Sequence, residues 1–349
     1  MSASKQQKEI IKAAQKWRES EYAPRQEAID ETLRAPNRWT GPSLNHTLDR
    51  WMQQLTEEAL SRWLGRKKGG TDGPTVAVLH GEEGPLEGLR AAVAVWALGY
   101  SYVGVVPESS PALLPGFASE VRGDGAPAIE FAGVDEAFAR ADAVIADESA
   151  EVQSVSASCD QYDIPDEQRL LRSSVYSVGI VDGHETEDEM ERLAEDMLLY
   201  EGKGRRRLAV LWAPQNHAPD PYLEAMARFR GLFPAHEDTP GSLQMQQAFL
   251  EARDESHAYA DGLEFLVSRG DPEPQKAGHV RWTEYEQIDD VHRWWTDHED
   301  EVYAVIARRH LHDRCPSDWP LRTPGGVHTP PLDDADGQQT ATFLKNLVD

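Results

Sequence analysis

From Thr75 the chain reads TVAVLH, GEEGP, LEGLRAAVAVWAL and SYVGVVP: a short apolar strand, a turn, a helix and a second strand. A strand, helix and strand within about thirty residues form one βαβ unit with a right-handed crossover, which commits this part of the chain to a parallel α/β sheet. The segments APAIEFA and ADAVIAD continue it as short strands, so residues 75–150 predict an open α/β sheet. SVYSVGIVDG opens a second unit, followed by a helix over Glu185–Tyr200 and a strand over Leu208–Trp212. Later segments alternate again: helices near 219–231 and 240–254, strands LEFLVS and HVRW, an acidic helix TEYEQIDDVHRWWTDHED and a strand VYAVIA. Residues 1–66 are helical in pattern, with Leu48, Trp51, Leu55, Leu60 and Trp63 near helical spacing. We expect an N-terminal helical segment over 1–70, a cofactor-type domain over 71–180, a catalytic-type α/β domain over 181–315, and a segment over 316–349 that returns to the first domain.

Charge narrows the setting. The 349 residues hold 61 Asp and Glu against 35 Lys and Arg, of which only nine are Lys, for a formal net charge of -26. A dense carboxylate surface with little lysine stays hydrated where salt screens weaker charge patterns, and points to the cytoplasm of a halophile. The same field repels nucleic acid and anionic membranes, so a phosphate-bearing ligand has to be met by a local basic site. With two cysteines, Cys159 and Cys315, the sequence supports neither a disulfide framework nor a zinc knuckle. No apolar run approaches the ~20 residues that a membrane span needs, and the charged N-terminus has no apolar leader core.

Five stretches in collinear order carry a resemblance: NRWTGPSLNHTLDRWMQQLTEEALSRWL, VAVLHGEEGPLEGL, LGYSYVGVVPESSPALLP, YSVGIVDGHETEDEMERLAEDMLLYEGKGRRRLAVLWAP and GGVHTPPLDDADGQQTATFL. From about residue 37 onward the chain resembles the acyl-CoA reductase branch of the aldehyde dehydrogenase superfamily, which includes the fatty-acid reductase of bacterial luminescence. The resemblance implies a Rossmann-like cofactor domain, a second α/β catalytic domain and a cleft between them. There a cysteine thiolate attacks a thioester, and hydride from NADPH releases the aldehyde. Such chemistry needs a thiolate, an oxyanion donor and an approachable backbone around the dinucleotide.

At the matching positions this chain departs from each requirement. Arg205 follows the Gly202-Lys203-Gly204 turn where the family has its nucleophile, and a guanidinium has no available lone pair. Glu82 and Glu83 occupy the oxyanion-asparagine region, where carboxylates repel developing negative charge; at a helix N-terminus they would also fill the place of a phosphate. Val105 replaces the cofactor-binding lysine, with Pro107 and Glu108 after it. Asp147, Glu148 and Glu151 replace the small neutral loop at the end of a later cofactor strand. The resemblance thus implies a degenerate homologue that keeps the scaffold and binds NADPH, NADP or no cofactor. It acts through binding or assembly, as a homo-oligomer or beside an active paralogue. The opposing expectation is an active acyl-CoA or aldehyde oxidoreductase whose nucleophile or cofactor contacts have moved.

Three roles are open for Lys203, Arg205, Arg206 and Arg207: neutralising a helix C-terminus and nearby carboxylates, binding acyl-CoA or another anion through forked hydrogen bonds, or meeting an acidic partner or subunit. Cys159 and Cys315 are the remaining thiols that could serve as nucleophiles, the second beside Arg314 and near His310 and His312; the plainer reading makes both ordinary thiols. His310 and His312, expected at a strand end, are a weak metal signal without a third ligand. The acidic stretch Glu187, Glu189, Glu191, Glu195 and Asp196 reads as a solvated helix face.

Overall fold

The computed structural model describes residues 4–65, 73–121, 127–146, 152–173, 175–260 and 262–347. The chain forms two compact units, one of residues 1–37, 44–174 and 330–349, the other of residues 38–43 and 175–329.

In the first unit, helix α1 (Lys5–Trp17) starts from a reciprocal cap: Ser4 Oγ accepts from the Gln7 N–H and Gln7 Oε1 from the Ser4 N–H. Ile10, Ala13, Ala14 and Trp17 fall on its buried stripe. Helices α2 (Ala23–Leu33), α3 (Gly41–Gln54) and α4 (Glu57–Leu64) follow. Then come β1 (Thr75–Leu79), α5 (Leu89–Leu98), β2 (Ser101–Val105), α6 (Leu113–Val121), β3 (Ile129–Phe131), α7 (Val134–Arg140), β4 (Ala143–Ala146), α8 (Val152–Gln161) and β5 (Arg169–Leu171). The strands form a parallel sheet in the order β3-β2-β1-β4-β5. Strand side chains alternate between faces. Tyr102 therefore meets Trp96 of α5, ring centroids 5.4 Å apart, while Val103 joins Phe138 of α7 and Cys159 of α8 in a core on the opposite face. Helix α5 is buried on every side and ends at Gly99, whose φ of 70° permits the reversal into β2.

In the second unit, β6 (Tyr176–Ile180), α9 (Glu187–Leu198), β7 (Leu208–Pro214), α10 (Asp220–Leu232), α11 (Thr239–Ala252), β8 (His257–Tyr259), β9 (Leu266–Arg269) and β10 (His279–Tyr285) lead to α12 (Ile288–His298), β11 (Val302–Ala307), the short α13 (Arg309–His312) and β12 (Leu321–Arg322). The sheet order is β12-β11-β6-β7-β10-β9-β8, parallel apart from the β8–β9 pair. Finally, α14 (Ala335–Asn346) belongs to the first unit, where two buried arginines hold its start. Arg90 of α5 pairs with Asp334 and Asp336, and Arg172 donates to the Asp336 carbonyl at 2.9 Å and to Thr340 Oγ1 at 2.8 Å.

The strand–helix–strand start is as expected; several boundaries are not. The helix expected over Glu185–Tyr200 begins only after Thr186, which caps it with Glu189, and stops at Leu198. The segment expected as an acidic helix from Thr283 first completes β10, and its helix starts at Ile288, where Asp290 Oδ2 accepts from the Gln287 N–H. His310 and His312 lie on α13 rather than at a strand end. Helix α8 and strand β5 lacked a clear periodic signal.

Candidate functional site

The arginine-rich turn is built by backbone that few sequences could follow. After Leu198, Tyr200 and Glu201 take left-handed φ values of 56° and 60°, followed by Gly202 at 64° and, after Lys203, Gly204 at 93°. Non-glycine residues in this region are strained, so neighbours must hold them. Glu201 is buried and accepts from Arg230 at 3.2 Å and from Thr239 Oγ1 at 2.5 Å. A Cβ on Gly202 would lie 2.8 Å from the Gly278 nitrogen, which restricts this position to glycine. Downstream, Ser177 of β6 donates from Oγ to the Arg206 carbonyl and from its N–H to the Arg207 carbonyl, both at 2.8 Å. Arg207 Nη2 donates to the Gln275 carbonyl at 2.8 Å.

This pinning directs Arg205 and Arg206, both buried, onto Tyr303 of β11; their guanidinium carbons lie 5.7 and 5.3 Å from its ring centroid. Arg322 of β12 lies 5.3 Å from the same centroid and donates to the phenol oxygen at 3.4 Å. Each cation–π contact contributes about 0.5–2 kcal/mol, more as water is excluded, which offsets part of the repulsion among three like charges. The group is an anchored set of forked donors suited to a carboxylate or phosphate. The left-handed residues Tyr200 and Glu201 separate the end of α9 from the arginines.

A second loop meets the turn. Asp196 of α9 is buried, and its carboxylate accepts the Gly325 N–H at 2.7 Å and the Val327 N–H at 3.4 Å. His328 Nε2 donates to the Asp196 carbonyl at 3.2 Å, and its ring stands edge-on to Tyr200 with centroids 5.1 Å apart. The reading of Asp196 as part of a solvated face is therefore corrected. The signal was present, since Asp196 falls on the same stripe as the buried Leu193 and Met197.

In the first unit the expected cofactor positions surround the carboxyl ends of β1 and β2. The sheet order reverses between β1 and β4, the place where open α/β sheets bind ligands. His80, just past β1, makes contacts at 2.6 Å between Nε2 and Tyr102 Oη and at 2.8 Å between Nδ1 and the Glu87 carbonyl. Gly88, with φ of 81°, precedes α5, and a Cβ there would lie 2.4 Å from His80 Nδ1. The imidazole thus packs against Gly88 at the start of α5. Glu82 and Glu83 are exposed in the loop before α5, not at the helix N-terminus as expected. Val105 ends β2, and its carbonyl accepts the His80 N–H at 3.0 Å; Pro107 and Ser110 close the next turn around the exposed Glu108. Asp147, Glu148 and Glu151 lie outside the described residues.

Neither cysteine lies in an activating setting. Cys159 is fully buried in the apolar core between α7, α8 and the sheet, and burial pushes its thiol up, with Arg169 only partly opposing. Cys315 packs against the core of the second unit, and there too burial raises the thiol more than Arg314 lowers it. Arg314 does lower the Cys315 thiol, as expected, but burial outweighs it. His312 Nε2 lies 3.0 Å from the Ala307 carbonyl, while His310 is exposed. Among the described residues no helix is long and apolar enough to cross a membrane.

No protein-family model and no curated protein sequence matches the chain. Solved structures do. An NAD-dependent benzaldehyde dehydrogenase from Corynebacterium glutamicum superposes with a TM-score of 0.68 at 11% identity, over 99% of this chain and 84% of its own. The aldehyde dehydrogenase KauB from Pseudomonas aeruginosa gives 0.65 at 12% identity, over 91% and 76% of the two chains. A mutant of aldehyde dehydrogenase C from Pseudomonas syringae, solved with NAD+ and octanal, gives 0.64 at 14% identity, over 92% and 77%. With its parallel sheets in two α/β units, this chain has the aldehyde dehydrogenase fold.

Proposed function

We propose that this protein is an acyl-CoA reductase-like homologue that has lost cysteine-dependent catalysis and acts as a binding protein for CoA, an acyl-CoA or a similar anion. The observation that carries the reading is the burial of Arg205, in the place that the resemblance gives to the nucleophile, against Tyr303 with Arg206 and Arg322 beside it. Raised thiol pKa values at Cys159 and Cys315 support the same reading, since the thiolate is the nucleophile and both sites disfavour it. His80 against the α5 N-terminus, with exposed Glu82 and Glu83 in the same loop, argues against tight nucleotide binding at that corner. The low lysine count and excess of carboxylates favour a salt-rich cytoplasm, where a buried cationic cluster stays selective for anions. The scaffold works as an assembly with further copies of itself or with an active paralogue.

The second reading, an active NADPH-dependent reductase with a relocated nucleophile, is favoured by the retained parallel sheet and its order reversal between β1 and β4. Calorimetric titration of the full chain with CoA, NADPH and NADP, in molar potassium chloride and at lower salt, separates the two. We expect micromolar CoA binding that weakens tenfold or more in Arg206→Gln, with no NADPH oxidation when acyl-CoA is added. Sustained NADPH oxidation with acyl-CoA would sink the binding-protein reading, and its loss in Cys315→Ser would identify the relocated nucleophile. Light scattering at high salt that shows only a monomer, with no partner captured, would refute the assembly role.

A further inference from the structure

The second unit contains a cavity of about 430 Å³ between α11 and the edge strands, remote in sequence from the arginine-rich turn. One wall is apolar: Met245 and Phe249 project from α11 with 75% and 59% of their surfaces exposed, and Leu250 lies behind them. The facing wall is cationic, formed by Arg281 of β10 and by Lys276, with Arg253 stacked on Phe249 at 5.1 Å from the ring centroid. Exposed aromatic surface against buried positive charge is an unusual pairing in a chain of net charge -26.

Arg281 is the anchor. It is 7% exposed, its Nη1 donates to the Arg269 carbonyl at 3.1 Å and lies 3.6 Å from Glu255, and its Nε has no hydrogen-bond partner among the described residues. The guanidinium has space because residue 270 is glycine; a Cβ there would approach Nη1 to 2.6 Å. Glu255 is shared, since its other oxygen forms an ion pair with Arg253 Nε at 2.8 Å. Two carboxylates, Glu255 and Glu273, face three cations around the cavity, leaving one positive charge in excess. On the floor, His279 is neutral: its Nδ1 donates to Gln246 Oε1 at 2.9 Å, and its Nε2 accepts from Ser268 Oγ at 2.7 Å. This chain fixes the Gln246 amide at the cavity rim. The volume falls in the range of small-molecule pockets, about 300–1,000 Å³.

We infer that this cavity binds a small carboxylate with a planar apolar body, its ring on Phe249 and Met245 and its carboxylate toward Arg281 and Lys276. The site is separate from the arginine cluster at Tyr303, although Gln275 on its lining accepts from Arg207 at 2.8 Å. Its test is calorimetric titration of the full chain with 2-naphthoate and with neutral 2-naphthamide, accompanied by light scattering. We expect 2-naphthoate to bind at least tenfold more tightly than the amide. Phe249→Ser and Lys276→Gln, both at solvent-accessible positions chosen to leave the fold intact, each weaken it fivefold or more. Arg206→Gln leaves it unchanged, which separates this site from the proposed CoA site. Equal binding of acid and amide, or binding insensitive to Phe249→Ser, would overturn the assignment. So would a dimer that Phe249→Ser dissociates, since a second copy would then cover the apolar wall.

Discussion

Asp182 and Arg308 face each other across the carboxyl ends of β6 and β11, each carboxylate oxygen 2.7 Å from one nitrogen of the guanidinium fork. The strand order of the seven-stranded sheet reverses between these two strands, so the pair fills the place where an open α/β sheet offers a ligand its crevice. Tyr285 closes the same end by donating its hydroxyl to the Val181 carbonyl at 2.8 Å.

Burial resists ionisation of Asp182, but the Arg308 fork and the His184 N–H outweigh it and hold the carboxyl below its ordinary value. A depressed carboxyl pKa contributes stability above the unfolded value of about 3.9, and that contribution is lost as pH falls through the folded pKa. We expect Asp182→Asn to lower unfolding stability by about 1.5–3 kcal/mol at pH 7 and the difference from the parent chain to begin shrinking as pH falls below about 3.9. Urea midpoints of both chains across pH 7 to 3 measure it; a difference that does not change with pH would show that the pair stabilises by packing alone.

Tyr303 gathers Arg205, Arg206 and Arg322 on its ring face, and its hydroxyl accepts from Arg322 at 3.4 Å. Tyr303→Phe keeps that face and should cost under about 1 kcal/mol, whereas Tyr303→Leu removes it from three cations and should cost about 2–4 kcal/mol. Denaturant unfolding in molar salt compares them. Equal losses would assign the cluster's cohesion to the hydroxyl or to packing.

The stretch from Thr75 to Val105 was legible because a parallel βαβ unit is local: apolar runs, a Gly-Pro turn and a helix apolar but for Arg90 lie in chain order. The family resemblance drew attention to Arg205, but its burial on Tyr303 was not legible, since Tyr303 and Arg322 lie about a hundred residues away on strands that join the sheet late. Helix α9 shows a different failure. Its acidic composition suggested a solvated face, and the one acid that falls on the apolar stripe, Asp196, is the one that holds the Gly325–His328 loop. Ends of elements were lost where side chains compete with periodicity: Asp290 accepts backbone N–H groups and delays α12, which lets β10 run through Tyr285. The positive φ values at Tyr200 and Glu201 had no local signal, because the Arg230 and Thr239 contacts that hold Glu201 come from helices α10 and α11.

His279 supplies a pH dependence of its own. Burial first, then the charge of Arg281 and of His257, lowers its pKa to about 3, against about 6.5 for an exposed histidine. Between those values the unfolded chain binds one proton that the folded chain refuses, so stability rises with pH by about 1.4 kcal/mol per unit and is fully present above pH 6.5. Acidification costs stability here although the group is a base, because its neutral form is the one that Ser268 and Gln246 hold. His279→Gln keeps a polar side chain without a titrating ring, so the slope of stability between pH 6 and pH 4 should be smaller in the variant by about that amount. The parent-minus-variant difference in urea unfolding free energy isolates this residue from the other histidines and the many carboxylates. Parallel pH profiles for the two chains would mean that His279 protonates readily in the fold, and that the wall beside Arg281 is more open to water than its burial implies.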